Sequence, residues 1–155
     1  MSRIEAIIAS SQFVSDRHLI VFVDGRPFDE LVAQSEASVA GLVPSLLGWF
    51  HNDEDGEVPW ERILPPIGCT SSAPILICPD DLDYCCSVVM VEVVAGADDI
   101  RWERVGLDAT KKGAVGSCVR WLSGIGRFCF SRHDYERCLD AFRSYYRQGR
   151  TSRST

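Results

Sequence analysis

The sequence predicts an α+β fold with a mainly antiparallel sheet, a C-terminal helix packed on one face of it, and shorter helices in the first third of the chain. A nearly continuous β-branched run at residues 87–94 is followed by a turn and an alternating segment, which is typical of a β-hairpin. An amphipathic stripe with helical spacing lies near the C-terminus. The chain has 155 residues, of which 46% are apolar and 25% charged, and this suits one domain with its own core.

The first third of the chain contains one strand and two short apolar segments. The run HLIVFV at residues 18–23 predicts a strand, and the Asp-Gly pair that follows it predicts a tight turn. Residues 27–32 begin with proline and space their apolar side chains on one face of a short helix. A second apolar run at residues 41–50 predicts a short buried segment.

Two acidic segments lie in the middle of the chain. The first, HNDEDGE at residues 51–57, predicts an acidic loop. Prolines and a glycine make residues 63–73 an irregular connection, and a strand begins at residues 74–78. The second acidic segment follows this strand as a turn. The acidic side chains are Asp53, Glu54, Asp55 and Glu57 in the first segment and Asp80, Asp81 and Asp83 in the second.

The hairpin and two further strands make up most of the predicted sheet. Its first arm, residues 87–94, is apolar apart from Ser87 and Glu92, which indicates burial on both faces. After a turn at residues 96–99, the alternating second arm at residues 100–105 indicates a half-exposed strand nearer the edge of the sheet. Residues 119–122 and 127–130 predict additional strands.

The last element has the strongest helical pattern. Ser131 is a natural N-cap, and Asp134 three residues later makes a partial capping box. Gly149 is expected to end the helix. The sequence therefore predicts a single globular domain over residues 1–148 and a disordered basic tail over residues 149–155. The apolar stripe of the helix consists of Tyr135, Cys138, Leu139, Phe142, Tyr145 and Tyr146.

The net charge of −6 is unevenly distributed. Residues 143–155 contain four arginines and no acid, so residues 1–142 carry 12 basic and 22 acidic side chains. Such an acidic body repels nucleic acid, whose binding depends on neutralising phosphates. It attracts a basic partner and speeds the encounter with it. Because a negative charge also keeps a small protein soluble, charge alone leaves both interpretations open.

The cysteines and the apolar runs indicate a cellular compartment. The seven cysteines are an odd number without a Cys-x-x-Cys pair, which argues against a secreted disulfide framework. Residues 1–11 contain Arg3 and Glu5 and lack the apolar run of a signal peptide. No stretch reaches the roughly 18 apolar residues of a membrane span. We therefore expect a cytoplasmic protein with reduced thiols that does not bind a membrane.

The chain lacks the motifs of common enzymes. It contains no Gly-x-Gly-x-x-Gly, no Walker loop and no Gly-x-Ser-x-Gly. The histidines are His18, His51 and His133, and most cysteines lie in apolar runs, where a cysteine is usually a small core residue. A reactive thiol needs an electropositive, partly exposed site, so the pattern predicts a protein that is not an enzyme.

The segment between Cys78 and Cys86 is a candidate metal site, because its thiols and carboxylates are close in sequence. Zinc prefers short-spaced Cys/His pairs with a second pair elsewhere, and this chain has no second pair of the right type. The aspartates lack the glycine and the terminal glutamate of a calcium loop. The pattern therefore favours a solvated acidic turn before a buried strand, with no metal or other cofactor.

Protein binding is the function that these features favour. Trp60 follows Pro59 next to the first acidic segment, so we expect it to be an exposed aromatic anchor at an interface. Aspartate-rich turns also have local hydrogen-bonding reasons to exist. The predicted partner-binding residues are Asp53, Glu54, Asp55, Glu57, Trp60, Asp80, Asp81 and Asp83.

The order of motifs along the chain resembles a family of small bacterial proteins. Residues 74–107 combine an apolar strand, the motif CPDDxD, a following cysteine, a valine-rich strand with a glutamate, and a partner strand that carries a tryptophan and then Val-Gly. The same order includes FVDGRPF at 22–28, VRWL at 119–122 and the helix region at 130–142. From about residue 18 to 142, the chain resembles the immunity proteins of contact-dependent growth inhibition and related polymorphic toxin systems.

The resemblance implies a cytoplasmic protein that binds the C-terminal domain of one cognate toxin and neutralises it. Such toxin domains are often nucleases or other enzymes with basic clefts, which an acidic protein would complement. The family implies no shared set of contact residues. The residues themselves leave two alternatives: a small thiol- or metal-dependent enzyme that uses the 78–86 region, and an adaptor that self-associates through a sheet edge. The sequence leaves the oligomeric state open.

Overall fold

A computed structural model describes the backbone of residues 1–153 and the side chains of residues 1–148. Short 3₁₀ turns occupy Ala37–Val39 and Ser45–Leu47. The described residues form no helix with the length and apolar character needed to cross a membrane. The strands and helices, in chain order, are β1 (Ile4–Ala9), β2 (His18–Val23), β3 (Arg26–Pro27), α1 (Phe28–Ala33), β4 (Val43–Pro44), α2 (Asp53–Arg62), β5 (Thr70–Ile77), β6 (Val88–Ala95), β7 (Asp99–Asp108), β8 (Val119–Trp121), β9 (Phe128–Ser131) and α3 (Arg132–Arg153).

Two antiparallel sheets form the framework of the molecule. The smaller sheet has the order β1-β2-β3, and the larger has the order β4-β5-β6-β7-β8, with β9 also paired to β7. The predicted α+β fold is therefore confirmed, and so is the β6–β7 hairpin. Strand β7 was expected nearer the edge of the sheet, and this is wrong. Along its second side, β8 pairs with residues 106–108 and β9 pairs with residues 99–102.

The N-terminal strand β1 has no counterpart in the sequence prediction. It pairs with β2 over the full length of both strands, although only Ile4 among its residues is buried. The predicted turn after β2 is confirmed: Asp24 and Gly25 both adopt positive φ angles, of 51° and 80°. A type I′ turn needs this left-handed backbone at both central residues, and it connects β2 to β3.

The core lies between the two sheets and helix α3. Tyr135 and Cys138 of α3 lie beside Ile4 of β1 and Trp102 of β7. Trp102 and Tyr135 are each 1% exposed, and their rings meet edge to face with centroids 6.2 Å apart. Full burial of a large apolar side chain stabilises a fold by about 1.5–3 kcal/mol, so the α3 stripe is a principal source of stability.

Helix α3 begins as predicted and ends later than predicted. The Ser131 hydroxyl accepts a hydrogen bond from the backbone N–H of Asp134 at 3.1 Å, which confirms the N-cap. The helix does not end at Gly149, because its backbone continues to Arg153. A glycine inside a helix costs only about 1 kcal/mol relative to alanine, and the packed turns of α3 that precede Gly149 offset this cost. Of the expected disordered tail, residues 154 and 155 lie outside the described residues.

The apolar segment at residues 41–50 is buried, as predicted, and leads directly into α2. Gly48 ends its 3₁₀ turn in the left-handed conformation, with φ 76°. A Cβ atom at this position would overlap the ring of Tyr146. Helix α3 therefore packs closely over the segment that precedes α2, and this contact helps to fix where α2 begins.

Candidate functional site

The first acidic segment is the start of a helix, and the prediction of an acidic loop over residues 51–57 is wrong. Asn52 is the N-cap of α2, and its side-chain oxygen accepts a hydrogen bond from the N–H of Asp55 at 2.8 Å. Three acids follow in the first turn, where the positive end of the helix dipole stabilises carboxylates. Gly56 and Pro59, both inside α2, are poor helix formers and obscure its helical pattern in the sequence.

The proline inside α2 explains how the loop between β5 and β6 attaches to this helix. Pro59 has no N–H to donate to the carbonyl of Asp55, four residues earlier. The hydroxyl of Tyr84, in the β5–β6 loop, donates to that carbonyl instead, at 2.5 Å. Desolvation, with a smaller effect from the Asp55 charge, raises the pKa of Tyr84, so the hydroxyl keeps its proton at neutral pH. Its ring also packs on Phe50, with centroids 4.9 Å apart.

A second contact joins the same loop to the residue before the N-cap. The Nε2 atom of His51 donates to the backbone carbonyl of Asp81 at 2.8 Å. The loop turns sharply here, because the N–H of Leu82 donates to the carbonyl of Cys78 at 3.2 Å. Leu82 adopts a left-handed backbone, with φ 52°. The turn is therefore held both from within and by His51.

These two contacts bring the acidic segments together on one side of the molecule. Four of their six carboxylates are exposed and two are half-buried. Within residues 1–148, all of them except Asp53 are without an ion-pair partner. Their negative charge is therefore directed to the outside. We call this group the acidic surface, and its members are Asp53, Glu54 and Asp55 of α2 and Asp80, Asp81 and Asp83 of the β5–β6 loop.

Carboxylates elsewhere in the molecule are often paired with arginines. Glu92 accepts two hydrogen bonds from the guanidinium of Arg104, at 3.1 and 2.6 Å. Glu36 pairs with Arg120 at 3.1 Å, and this hydrogen bond lowers the pKa of the Glu36 carboxyl. These pairs neutralise charge locally, whereas the acidic surface leaves most of its charge exposed to a partner.

Glu57 and Trp60 were also predicted to bind a partner, but their side chains contact α3. Glu57 accepts a hydrogen bond from the Tyr146 hydroxyl at 3.0 Å, and the guanidinium of Arg143 lies 5.1 Å from the centre of the Trp60 ring. Trp60 is half-buried, so its expected exposure is wrong: α3, which is distant in sequence, packs against it. The two residues join α2 to α3.

A cleft of about 680 Å³ adjoins the acidic surface. It lies between α2, the β5–β6 loop and the loop after β7, with Glu54 and Asp55 in its lining together with Lys111. Asp108, also in the lining, accepts hydrogen bonds from the hydroxyl of Thr110 at 2.6 Å and from a backbone N–H of its own loop at 3.0 Å. Asp108 therefore shapes the wall of the cleft, and Glu54 and Asp55 give the opposite wall its negative charge.

The cysteines are more exposed than their apolar neighbours suggested. All seven are free, and Cys138 is buried, which raises the pKa of its thiol to about 12. The expectation that most are core residues is wrong, because most lie at strand ends and turns. Cys78 and Cys129 are half-buried, whereas Cys69, Cys85, Cys86 and Cys118 are exposed.

Two of these thiols meet a carboxylate in the β5–β6 loop. The sulfur atoms of Cys78 and Cys86 and a carboxylate oxygen of Asp81 all lie within 4.8 Å of one another. Hydrogen bonding to Asp81, and to a lesser extent to Cys78, raises the pKa of the Cys86 thiol. The sequence had favoured a solvated turn at this place and did not indicate that the three side chains meet.

Comparison of the chain with family models, with curated proteins and with solved structures gives no match in any of the three. The resemblance to immunity proteins therefore stays a prediction. Sequence reasoning selected the acidic residues by charge and missed Tyr84 and His51, which bring them together. One local signal was present for Tyr84: a proline four residues after Asp55 leaves that carbonyl in need of another donor.

Proposed function

We propose that this protein is a cytoplasmic immunity protein that binds the C-terminal domain of a cognate toxin through the acidic surface and neutralises it. The observation that carries the proposal is the joining of two acidic segments into one surface whose carboxylates, Asp53 aside, have no ion-pair partner within residues 1–148. The class of partner comes from the resemblance in motif order between residues 18 and 142.

The acidic surface suits a partner with a basic cleft. A group of carboxylates on one face creates a negative potential that speeds encounter with a positive surface and disfavours acidic competitors. The hydrogen bonds from Tyr84 and His51 hold the β5–β6 loop in place before binding. A preorganised loop loses less conformational entropy on association, which increases affinity.

Neutralisation follows from competition for the same positive charge. A toxin that acts on nucleic acid must bind phosphates with lysine or arginine side chains. We expect the carboxylates of the acidic surface to take the place of those phosphates, so the toxin cannot bind its substrate while it is bound to this protein. The cleft lined by Glu54 and Asp55 gives a protruding basic side chain of the toxin a place to insert.

The direct test is reconstitution with the C-terminal domain of the toxin that we expect a neighbouring gene to encode. We expect co-expression to give a stoichiometric complex on size-exclusion chromatography and an equimolar amount of this protein to abolish toxin activity in vitro. Cells that express the toxin domain should grow only when this protein is present. Absence of a complex together with unprotected growth would overturn the proposal. Light scattering of the protein alone separates this outcome from the alternative of a self-associating adaptor.

A further inference from the structure

The β5–β6 loop places two cysteines at the open end of a hairpin. Ile77 and Val88 are paired at the end of the β5–β6 ladder, so the two strand ends are adjacent. Cys78 directly follows Ile77, and Cys86 comes two residues before Val88. The two thiols therefore approach each other across the mouth of the loop, although seven residues separate them in sequence.

A tight turn returns Asp81 to these thiols. The hydrogen bond from the N–H of Leu82 to the carbonyl of Cys78 closes the turn, and the His51 ring holds the Asp81 carbonyl from the side of α2. As a result, one donor atom from each of Cys78, Asp81 and Cys86 lies within 4.8 Å of the other two. Asp81 and Cys86 are exposed, so an ion can reach the cluster from solvent.

We infer that Cys78, Asp81 and Cys86 form a Zn²⁺ site whose fourth position is open to solvent. Two thiolates with one carboxylate suit zinc, whereas Mg²⁺ and Ca²⁺ prefer oxygen ligands alone. With Zn–S bonds of about 2.3 Å, a tetrahedral ion holds two sulfurs about 3.8 Å apart, so the donor atoms need to move by only about 1 Å. Each thiol transfers its proton to the buffer on binding, so one Zn²⁺ replaces two protons.

The ion would fix the loop that carries half of the acidic surface. It would connect the end of β5 to the start of β6 and hold the turn that contains Asp81. Zinc sites are usually recognised from two separate ligand pairs, and here all three ligands come from a single loop in the spacing Cys-x2-Asp-x4-Cys. Because the ligands all belong to this chain, metal binding can be tested without any partner protein.

The test is a titration of the reduced full-length protein with Co²⁺, a spectroscopic substitute for Zn²⁺. We expect one equivalent to bind, with a sulfur-to-cobalt charge-transfer band and the strong visible absorption of tetrahedral cobalt. Zn²⁺ should displace it, and excess Mg²⁺ or Ca²⁺ should not. At a zinc concentration about 100 times the dissociation constant, the Tm should rise by about 5–10 °C.

Three variants make the test specific. We expect Cys86→Ser to weaken binding by at least about 100-fold and Asp81→Asn by at least about 10-fold, since even indirect ligand contacts are worth 10–100-fold. Cys85→Ser is the matched control: it removes an exposed neighbouring thiol that lies outside the cluster. If Cys86→Ser fails to fold, Asp81→Asn, which changes one exposed side chain by one atom, decides the question.

Several results would overturn the inference. One is the absence of stoichiometric cobalt binding by the reduced protein. Another is a loss of affinity in Cys85→Ser as large as that in Cys86→Ser. A third is a Cys78–Cys86 disulfide that forms on air oxidation in a protein that binds no metal when reduced, which would identify the pair as a redox site.

Discussion

Replacement of Tyr135 by phenylalanine removes a single oxygen atom from the centre of the core. This hydroxyl donates to the carbonyl of Ile63 at 2.6 Å and accepts from the indole N–H of Trp102 at 3.2 Å. All three residues are 1% exposed. Ile63 is the C-cap of α2, so its carbonyl has no partner within that helix. Tyr135 therefore joins α3, β7 and the C-terminal end of the helix that carries part of the acidic surface.

The expected magnitude follows from the two groups that lose a partner. In Tyr135→Phe, the Trp102 N–H and the Ile63 carbonyl remain buried without a hydrogen bond. Each unsatisfied group costs about 1–3 kcal/mol, so the free energy of unfolding should fall by about 2–6 kcal/mol. For a chain of this length, about 1 kcal/mol corresponds to a change of 2–4 °C in Tm, so the Tm should fall by about 4–24 °C.

Urea unfolding followed by circular dichroism measures this loss, with an unchanged m-value as the sign that only the native state is affected. Tyr145→Phe is the matched control, because Tyr145 lies on the same helix, is half-buried and makes no hydrogen bond through its hydroxyl within residues 1–148. The control should change stability by no more than about 0.5 kcal/mol. Equal losses in both variants, or a loss below about 1 kcal/mol in Tyr135→Phe, would show that the Tyr135 hydroxyl is not needed to satisfy the two buried groups.

Three further substitutions have defined directions. Tyr84→Phe removes the donor to the Asp55 carbonyl, but water can replace it at this half-exposed site, so urea unfolding should show a loss of about 1 kcal/mol, well below that of Tyr135→Phe. Ser131→Ala removes the α3 N-cap and should lower the free energy of unfolding by about 1 kcal/mol; an unchanged value would contradict the cap. Burial raises the pKa of Asp29 above its usual 3.8, so the native state binds this proton more tightly and loses stability as the pH rises through the native pKa. As the pH is raised from below 3.8 to neutrality, the free energy of unfolding of Asp29→Asn should therefore increase relative to that of wild type. A difference between the two proteins that does not change with pH would be inconsistent with a raised pKa.

The elements that the sequence predicted correctly have local signals. The β6–β7 hairpin follows from a β-branched run, a turn and an alternating segment, and the start of α3 follows from Ser131 and its apolar stripe. The turn after β2 required only the Asp-Gly pair. In each case, the residues that determine the structure are within a few positions of one another.

The errors concern features that depend on distant contacts. Helix α2 contains a glycine and a proline, and its proline is tolerated because Tyr84, 29 residues from Asp55, supplies a hydrogen bond to the freed carbonyl. Trp60 is covered by α3, and β7 is internal because β8 and β9 return to it. The charge pattern selected the carboxylates of the acidic surface, but His51 joins the two segments over 30 positions, which no local pattern reveals.

The affinity of a charge-neutralised variant for the toxin domain shows whether the toxin is recognised through the acidic surface. Glu54→Gln/Asp80→Asn removes two exposed charges from the acidic surface, and Glu30→Gln/Asp98→Asn removes two exposed charges of the same types from α1 and the β6–β7 turn. We predict that, at low ionic strength, the first variant binds at least about tenfold more weakly, mainly through slower association, and that salt reduces this difference. The second variant should bind within about twofold of wild type. Equal losses in the two variants, or no loss in either, would contradict recognition through the acidic surface.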